Sequence, residues 1–545
     1  MDRRTFLKAT GAAAVASTVL PPGLARAASV SAKPGANLDD IEHIVVLMQE
    51  NRPFDQYFGT MSGVIGFEDP HALPGVFKQI DLNVKDNPSG YVLPWHTDTA
   101  TTSAQSHGAM FHDWPNQHLM WNGGAMDQFL LAQNNDPLVM GYYTRSDVPY
   151  HFALADHFTI LDRYHCSVFG PTNPNRIMLM SGTVDAEGTR GGPCLENTQQ
   201  AGQLKWKSVP ELLEEKGVSW YLYQESDNYD DNMLPFFEGF SDPVLAKKGN
   251  SVIPSPAGKP LGTGIANKLR EDVLAGKLPQ VVYVVGPEET SEHPDHGPGR
   301  GAQFIDQCLE ALTADLDVWA KTLVILNYDE NDGGFDHVVP PTSKPGTPGE
   351  WLAGSPVPAG GVNGPVGLGY RVPCILISPF TRGPLVSSEV FDHTSVIKLL
   401  ERRFGIHCDN ISAWRRETVG DLVGAINFSA TPTVPLPTLP DADALAAEAK
   451  KQEALPAPVL PAVQTMPTQE RLPLRGRPSG LVAQPVVGTP VTAPRPAAAR
   501  RSEPSPTGAG ALAATGLPEA VPAVAAAAVT GAAIVARLRE RGARG

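Results

Sequence analysis

The sequence has 545 residues, with 43 basic against 58 acidic side chains and a formal net charge of −15. That length supports a large hydrophobic core, and the acidic balance argues against a nucleic-acid partner held by phosphate contacts. A phosphorylated ligand would need local positive charge from a metal ion, an arginine or a histidine to offset the long-range repulsion.

The N-terminal segment predicts an export signal. Two arginines at positions 3–4 precede an apolar stretch over residues 9–20, and the small residues Ala25 and Ala27 follow with Arg26 between them. This order is typical of a twin-arginine signal peptide, here residues 1–27, cut after about Ala27. We therefore expect export through the twin-arginine translocase, which carries proteins that are already folded.

Residues 39–428 have the alternating pattern of an α/β domain. Short apolar runs typical of buried strands occur at 44–48, 281–285, 323–326 and 372–378. Helical patterns cover 303–318 and 393–403, the second with Asp392 as its N-cap. The alternation predicts a mainly parallel central sheet flanked by helices on both faces.

Polar side chains follow two of these predicted strands at once. Glu50 and Asn51 end the first run, and Asp329 and Glu330 end the third. In open α/β sheets ligands bind outside the carboxyl ends of the strands, so the four side chains are expected in one crevice. Three carboxylates gathered there repel one another unless a cation holds them, which predicts a divalent-metal site.

A third segment supplies a hydroxyl. Gly170 and Pro171 predict a turn, and Pro174 suits the first position of a helix continuing through 177–180. Thr172 would then lie beside a helix N-terminus, whose free amides favour phosphate and alkoxide. Two interpretations stay open from the segment alone: a nucleophile activated by a bound cation, or an ordinary threonine helix cap.

The C-terminal region changes composition. Residues 429–510 are rich in Pro and Ala and predict a disordered linker. In residues 511–545 the pentapeptide LAATG precedes an apolar run over 517–536 and a basic tail, an order that resembles a sortase cell-wall sorting signal of the LAxTG type. The alternative is an alanine-rich disordered end. Five cysteines without a CxxC pair argue against a zinc-thiolate site, and their spacing assigns no disulfide.

Residues 49–59, QENRPFDQYFG, resemble the QENRSFDHYFG signature of the bacterial phospholipase C and acid phosphatase family, within the alkaline phosphatase-like superfamily. The departures are Pro53 for Ser and Gln56 for His, neither at a residue expected to bind metal. Further matches in the family's order lie at 112–114, 121–127, 141–145, 164–176, 223–232, 291–294, 329–338 and 391–395.

The resemblance implies roles for particular residues. Glu50, Asn51, Asp329 and Glu330 are assigned to the metal site, together with Thr172, which is also the expected nucleophile. His112 and His293 match histidines that line the phosphate pocket. The metal is expected to be Ca, Mg, Mn or Zn, because oxygen ligands suit the first three and do not exclude the fourth.

The expected function is that of an exported phospholipase C, which hydrolyses phosphatidylcholine-type lipids through a phosphothreonine intermediate and contacts a membrane surface transiently. The sorting signal implies sortase as a partner and attachment to the cell wall or membrane. One alternative is an acid phosphatase acting on phosphomonoesters. An alternative of another class is a wall-displayed binding protein on an inactive phosphoesterase scaffold, which the joint presence of the five metal-site residues disfavours.

Overall fold

The computed structural model describes residues 21–83, 85, 87–354, 362–428 and 439–480. Among these residues seven strands form one central sheet, and six further strands form three two-stranded sheets. The strands are β1 (His43–Gln49), β2 (Gln79–Ile80), β3 (Tyr91–Val92), β4 (Trp95–His96), β5 (Gly141–Tyr142), β6 (Thr159–Leu161), β7 (Trp220–Tyr223), β8 (Val281–Val285), β9 (Thr322–Tyr328), β10 (Trp351–Leu352), β11 (Gly364–Pro365), β12 (Cys374–Ile377) and β13 (Leu385–Ser387). The helices are α1 (Pro22–Ala27), α2 (Phe54–Phe58), α3 (Trp114–Trp121), α4 (Phe129–Ala132), α5 (Pro149–His157), α6 (Thr172–Ser181), α7 (Val209–Glu215), α8 (Pro243–Asn250), α9 (Thr263–Leu274), α10 (Pro298–Leu312), α11 (Leu316–Trp319), α12 (His393–Phe404), α13 (Ala413–Thr418) and α14 (Ala442–Gln452).

The sheet order is β13-β6-β12-β9-β1-β8-β7. Every neighbouring pair is parallel except the two that involve β12, which runs against both β9 and β6. Strands β8 and β9 are buried along their whole length, as a sheet covered on both faces requires. The predicted α/β class with a mainly parallel sheet is confirmed.

The predicted helices agree in kind and differ in extent. Helix α12 begins at the predicted residue, and the Asp392 side chain accepts from the amide of Thr394 as its N-cap. The single helix expected over residues 303–318 is instead α10, which begins earlier, followed by the separate short helix α11. Asp315 caps α11, because a short carboxylate binds nearby free amides and so starts a new helix.

Part of the expected disordered linker is ordered, which corrects that expectation for residues 439–480. Helix α14 packs on α10, with Gln303 donating to Asp443 over 2.6 Å. Farther along, the buried Arg475 side chain donates to Asp156 over 2.7 Å. This segment has too few apolar residues for a core of its own, but it obtains burial and ion-pair partners from the domain surface. Residues 429–438 and 481–510 lie outside the described residues.

The chain termini bear on the export predictions. Residues 1–20 and the expected sorting signal at 511–545 lie outside the described residues, whereas the end of the expected signal peptide forms α1, with Leu24 and Ala27 fully buried. In the part of the chain that the structure describes, no helix is both long and apolar enough to cross a bilayer. All five cysteines are buried and free.

Candidate active site

Two parallel strands place four predicted residues at one edge of the sheet. β1 and β9 pair with Gln49 opposite Tyr328, so the residues after each strand leave the sheet side by side. Asn51 adopts a left-handed conformation (φ 50°), which asparagine tolerates. Its backbone amide donates a hydrogen bond to Asp329 Oδ1 over 3.0 Å. The sheet thereby brings together four fully buried side chains: Glu50, Asn51, Asp329 and Glu330.

This edge carries buried oxygens that fit a cation. Among the described residues, Glu50 Oε2, Asn51 Oδ1 and Glu330 Oε1 have no hydrogen-bond partner. Burial, and then repulsion from Asp231, raises the pKa of Glu50; burial, and then repulsion from Asp329, raises the pKa of Glu330. A hard divalent cation binds carboxylate and amide oxygens of this kind and removes both penalties. The side chains present therefore fit the predicted metal.

Arg176 is a residue that the sequence analysis left without a role. Its buried guanidinium donates to Glu50 Oε1 over 2.8 Å and to Asp329 Oδ2 over 3.1 Å, and it pairs with Asp231 at 3.0 Å. Asp231 was missed as well. The available signal was the spacing of Arg176 four residues after Thr172, which puts both on one face of a helix.

Thr172 is the first residue of α6. The helix therefore starts two residues before the predicted position, and Pro174 is its third residue, still within the turn where proline is tolerated. The Asn175 side chain fixes the preceding loop: it accepts from the amides of Ser167 and Val168 and donates to the carbonyl of Gly170. Thr172 is partly exposed, one helical turn from the Arg176 guanidinium that touches Glu50 and Asp329.

The two predicted pocket histidines differ in environment. His112 bonds through Nδ1 to the carbonyl of Met110 at 2.6 Å and places Nε2 3.7 Å from Glu330 Oε1; burial lowers its pKa. His293 lies with Nδ1 3.0 Å from Asp295 Oδ2. Burial alone would lower the pKa of His293, but the Asp295 hydrogen bond and nearby carboxylate charges outweigh burial and leave it raised. His293 therefore keeps its proton to higher pH than His112 does.

Asp55, Asp336 and His337 form a second cluster of ligand-type side chains among the described residues, with one ligand atom of each within 4.8 Å of the others. The protein supplies its own cations there, since Arg371 Nη2 donates to Asp55 over 2.8 Å and to Asp336 over 2.6 Å. Burial alone would lower the pKa of His337, but its pairing with Asp55 and Asp69 raises it to about 9. The described contacts therefore pair these charges within the protein as an internal ion-pair network.

Sequence comparisons identify the family. The phosphoesterase family model matches residues 41–407. The non-hemolytic phospholipase C of Pseudomonas aeruginosa is 43% identical over 86% of this chain and 70% of its own length. Phospholipase C B of Mycobacterium tuberculosis is 41% identical over 88% of this chain and 98% of its own length. The chain belongs to the phosphoesterase family and is a hydrolase acting on ester bonds.

Solved structures match at lower similarity. A protein in the alkaline phosphatase superfamily from Vibrio parahaemolyticus is 13% identical, covering 76% of this chain and 78% of its own, with a TM-score of 0.32. The lipoteichoic acid synthase LtaP from Listeria monocytogenes is 10% identical, covering 80% and 98%, with a TM-score of 0.34. Likeness at this level carries no argument about chemistry.

Proposed function

We propose that the protein is an exported, metal-dependent phospholipase C that hydrolyses phosphatidylcholine-type lipids to diacylglycerol and a phosphorylated head group. The relatives named phospholipase C, at about 40% identity over most of the chain, support the substrate class. The observation that carries the chemistry is the set of unpartnered, buried oxygens of Glu50, Asn51 and Glu330 beside the helix that begins at Thr172.

A divalent cation would be held by Glu50, Asn51, Thr172, Asp329 and Glu330. Oxygen ligands suit Ca, Mg and Mn, and Zn is compatible with them. When bound, the cation neutralises phosphate charge and lowers the pKa of a coordinated hydroxyl. Arg176 limits the excess negative charge of Glu50 and Asp329, so an anionic phosphate can approach an otherwise acidic crevice.

The chain's own residues account for the bond changes. Thr172, which is partly exposed, releases its Oγ1 proton to solvent, and Oγ1 attacks phosphorus. The bond from phosphorus to the glycerol oxygen breaks, leaving a phosphothreonine that carries the head group. The positive end of the α6 dipole favours the charge that develops at Thr172. His293 gives a proton to the departing alkoxide, general acid catalysis worth ~10²–10⁴-fold. Water then cleaves the phosphothreonine, restoring Thr172 and releasing the phosphorylated head group.

Export and attachment are part of the proposal. The twin arginine at residues 3–4 supports transport by the twin-arginine translocase, and the LAATG segment supports attachment to the cell wall or membrane by sortase. A phospholipid substrate requires transient contact with a membrane surface. Cell fractionation of the native host, with and without the last 35 residues, tests the attachment.

The decisive assay compares p-nitrophenyl-phosphorylcholine with p-nitrophenyl phosphate, each with and without chelator. Chelator-sensitive hydrolysis of the diester alone is the expected result. Turnover of the monoester alone would replace the proposal with an acid phosphatase, and inactivity on both would favour a binding protein on a phosphoesterase scaffold.

A further inference from the structure

Glu292 is a fully buried carboxylate immediately before His293. Its backbone is left-handed (φ 69°), a conformation that costs a non-glycine residue free energy unless the surroundings hold it. The space around it is closed: a Cβ atom added at Gly301 on α10 would lie 2.1 Å from Glu292 Cγ. The side chain therefore points into the protein core, whereas the next residue, His293, is one of the two predicted pocket histidines.

Four side chains from separate elements surround the Glu292 carboxylate. Tyr57 and Tyr328 donate their hydroxyls to Oε2 over 2.7 and 2.8 Å. His151 Nε2 lies 3.0 Å from Oε1, and Gln49 donates to the same oxygen over 3.2 Å. Burial alone would raise the pKa of Glu292, but His151 and the tyrosine hydroxyls outweigh burial and leave it lowered, so the group is an anion.

The same loop is tied to the metal-site turn through its backbone. The amide of Glu50 donates to the carbonyl of Ser291 over 2.8 Å. Arg52 Nε donates to the carbonyl of Glu292 over 2.7 Å, and its Nη2 donates to the carbonyl of His296 over 3.0 Å. Loop 291–296 is thus hydrogen-bonded to the turn after β1 through its backbone, and Glu292 is its side-chain anchor.

We propose that Glu292 is a positioning residue, which holds the His293 imidazole at the place where it protonates the leaving alcohol. The proposal rests on the proposed function, specifically on His293 as the proton donor. Glu292 itself contacts no substrate, because its carboxylate is enclosed by the four donors. Glu292→Gln would replace one carboxylate oxygen by an NH₂ group that faces hydrogen-bond donors. The anchoring hydrogen bonds would weaken while the side-chain volume changes little.

Leaving-group dependence separates this role from a merely structural one. Phosphatidylcholine releases a poorly acidic alcohol that needs a proton, whereas p-nitrophenyl-phosphorylcholine releases a phenolate that leaves without one. Glu292→Gln is expected to lower kcat on phosphatidylcholine micelles by about 10-fold or more, out of the ~10²–10⁴-fold available to general acid catalysis. The p-nitrophenyl substrate should change by only a few fold. Added to His293→Ala, Glu292→Gln should cause no further loss of this selectivity.

The matched control is Asp306→Asn, which alters another buried carboxylate bonded to a tyrosine, Tyr150, away from the loop. It should leave the ratio of the two activities unchanged. If Glu292→Gln fails to fold, Tyr328→Phe removes one donor and should shift the ratio in the same direction by less. An equal loss on both substrates in a folded variant overturns the role of Glu292 alone. A wild-type protein inactive on both overturns the proposed function as well.

Discussion

Arg176 Nη2 donates a hydrogen bond to Glu50 Oε1 over 2.8 Å, although the two residues lie 126 positions apart in the chain. The same guanidinium reaches Asp329 and Asp231, so one cation contacts three buried carboxylates. The helix that carries Thr172 is thereby fastened to the ends of β1 and β9. A fixed positive charge and an expected metal ion consequently share the neutralisation of one acidic crevice.

Replacing Arg176 by methionine removes that charge at similar length. Leaving buried carboxylates uncompensated costs about 3–5 kcal/mol, so the variant should unfold at a lower temperature in chelator. Divalent metal should raise the unfolding temperature of the variant more than that of the wild type. The reason is that repulsion among the carboxylates is then the main cause of the variant's lost stability. Thermal unfolding with and without metal measures both effects. Arg402→Met, at a half-exposed ion pair with Asp421, is the control and should change little. An equal loss in both conditions would contradict the electrostatic explanation.

Thr172→Ala should abolish turnover while the protein stays folded. Removing a nucleophile while the rest of the active site stays intact lowers kcat on the order of 10⁴-fold or more. Thr172→Ser keeps a hydroxyl and should retain measurable activity, which makes it the matched control. Steady-state hydrolysis of p-nitrophenyl-phosphorylcholine, with unfolding temperatures recorded alongside, checks the expectation. Near-normal activity in the alanine variant would leave Thr172 as a helix-start residue only.

The two acidic clusters should respond differently to substitution. Asp329→Asn and Glu330→Gln should each weaken metal binding by ~10-fold or more, since a ligand change costs at least as much as a change in an outer hydrogen bond. Asp55→Asn should destabilise the fold and leave the metal content of the folded fraction unchanged. Elemental analysis of dialysed protein gives the metal content of each variant. Metal lost from Asp55→Asn and kept in Asp329→Asn would reverse the assignment of the two clusters.

Much of this site could be predicted because its residues follow apolar runs. Glu50 and Asp329 could be predicted because each lies just after a buried strand, β1 or β9. Polar side chains at such a position indicate a binding site at the edge of the sheet. Glu292 could not be found this way: its segment has the composition of an exposed loop, and its partners come from four distant parts of the chain. The ordered residues 439–480 were missed for a related reason, because their burial is supplied by the surface of another segment.

We expect the free energy of unfolding to fall at alkaline pH because of His337. Its pKa is about 9 in the folded protein against 6.5 ordinarily, held up by Asp55 and Asp69 although burial and Arg371 oppose this. A raised pKa contributes stability that is complete below pH 6.5 and is lost as the pH rises through 9, amounting to about 3 kcal/mol at most. Urea unfolding at pH 6, 7.5 and 9.5 should show this decline. His337→Gln should flatten it, and an unchanged slope in that variant would assign the decline to other groups.

Helix α1 bears on where the mature chain begins. Asp306 accepts from the amides of Gly23 and Leu24, at 3.3 and 2.8 Å, and Trp319 Nε1 donates to the carbonyl of Ala27 over 3.2 Å. A protein that starts at residue 28 loses these bonds and the buried Leu24, worth about 1.5–3 kcal/mol for the leucine alone. It should therefore unfold at a lower temperature than a protein that starts at residue 21. In the longer protein, Leu24→Ala should reproduce much of the loss, since it removes the burial and keeps the backbone bonds. Equal stability of the two forms would mean that α1 is dispensable, as removal of a signal peptide after Ala27 requires. Mass spectrometry of the exported protein determines which form the cell makes.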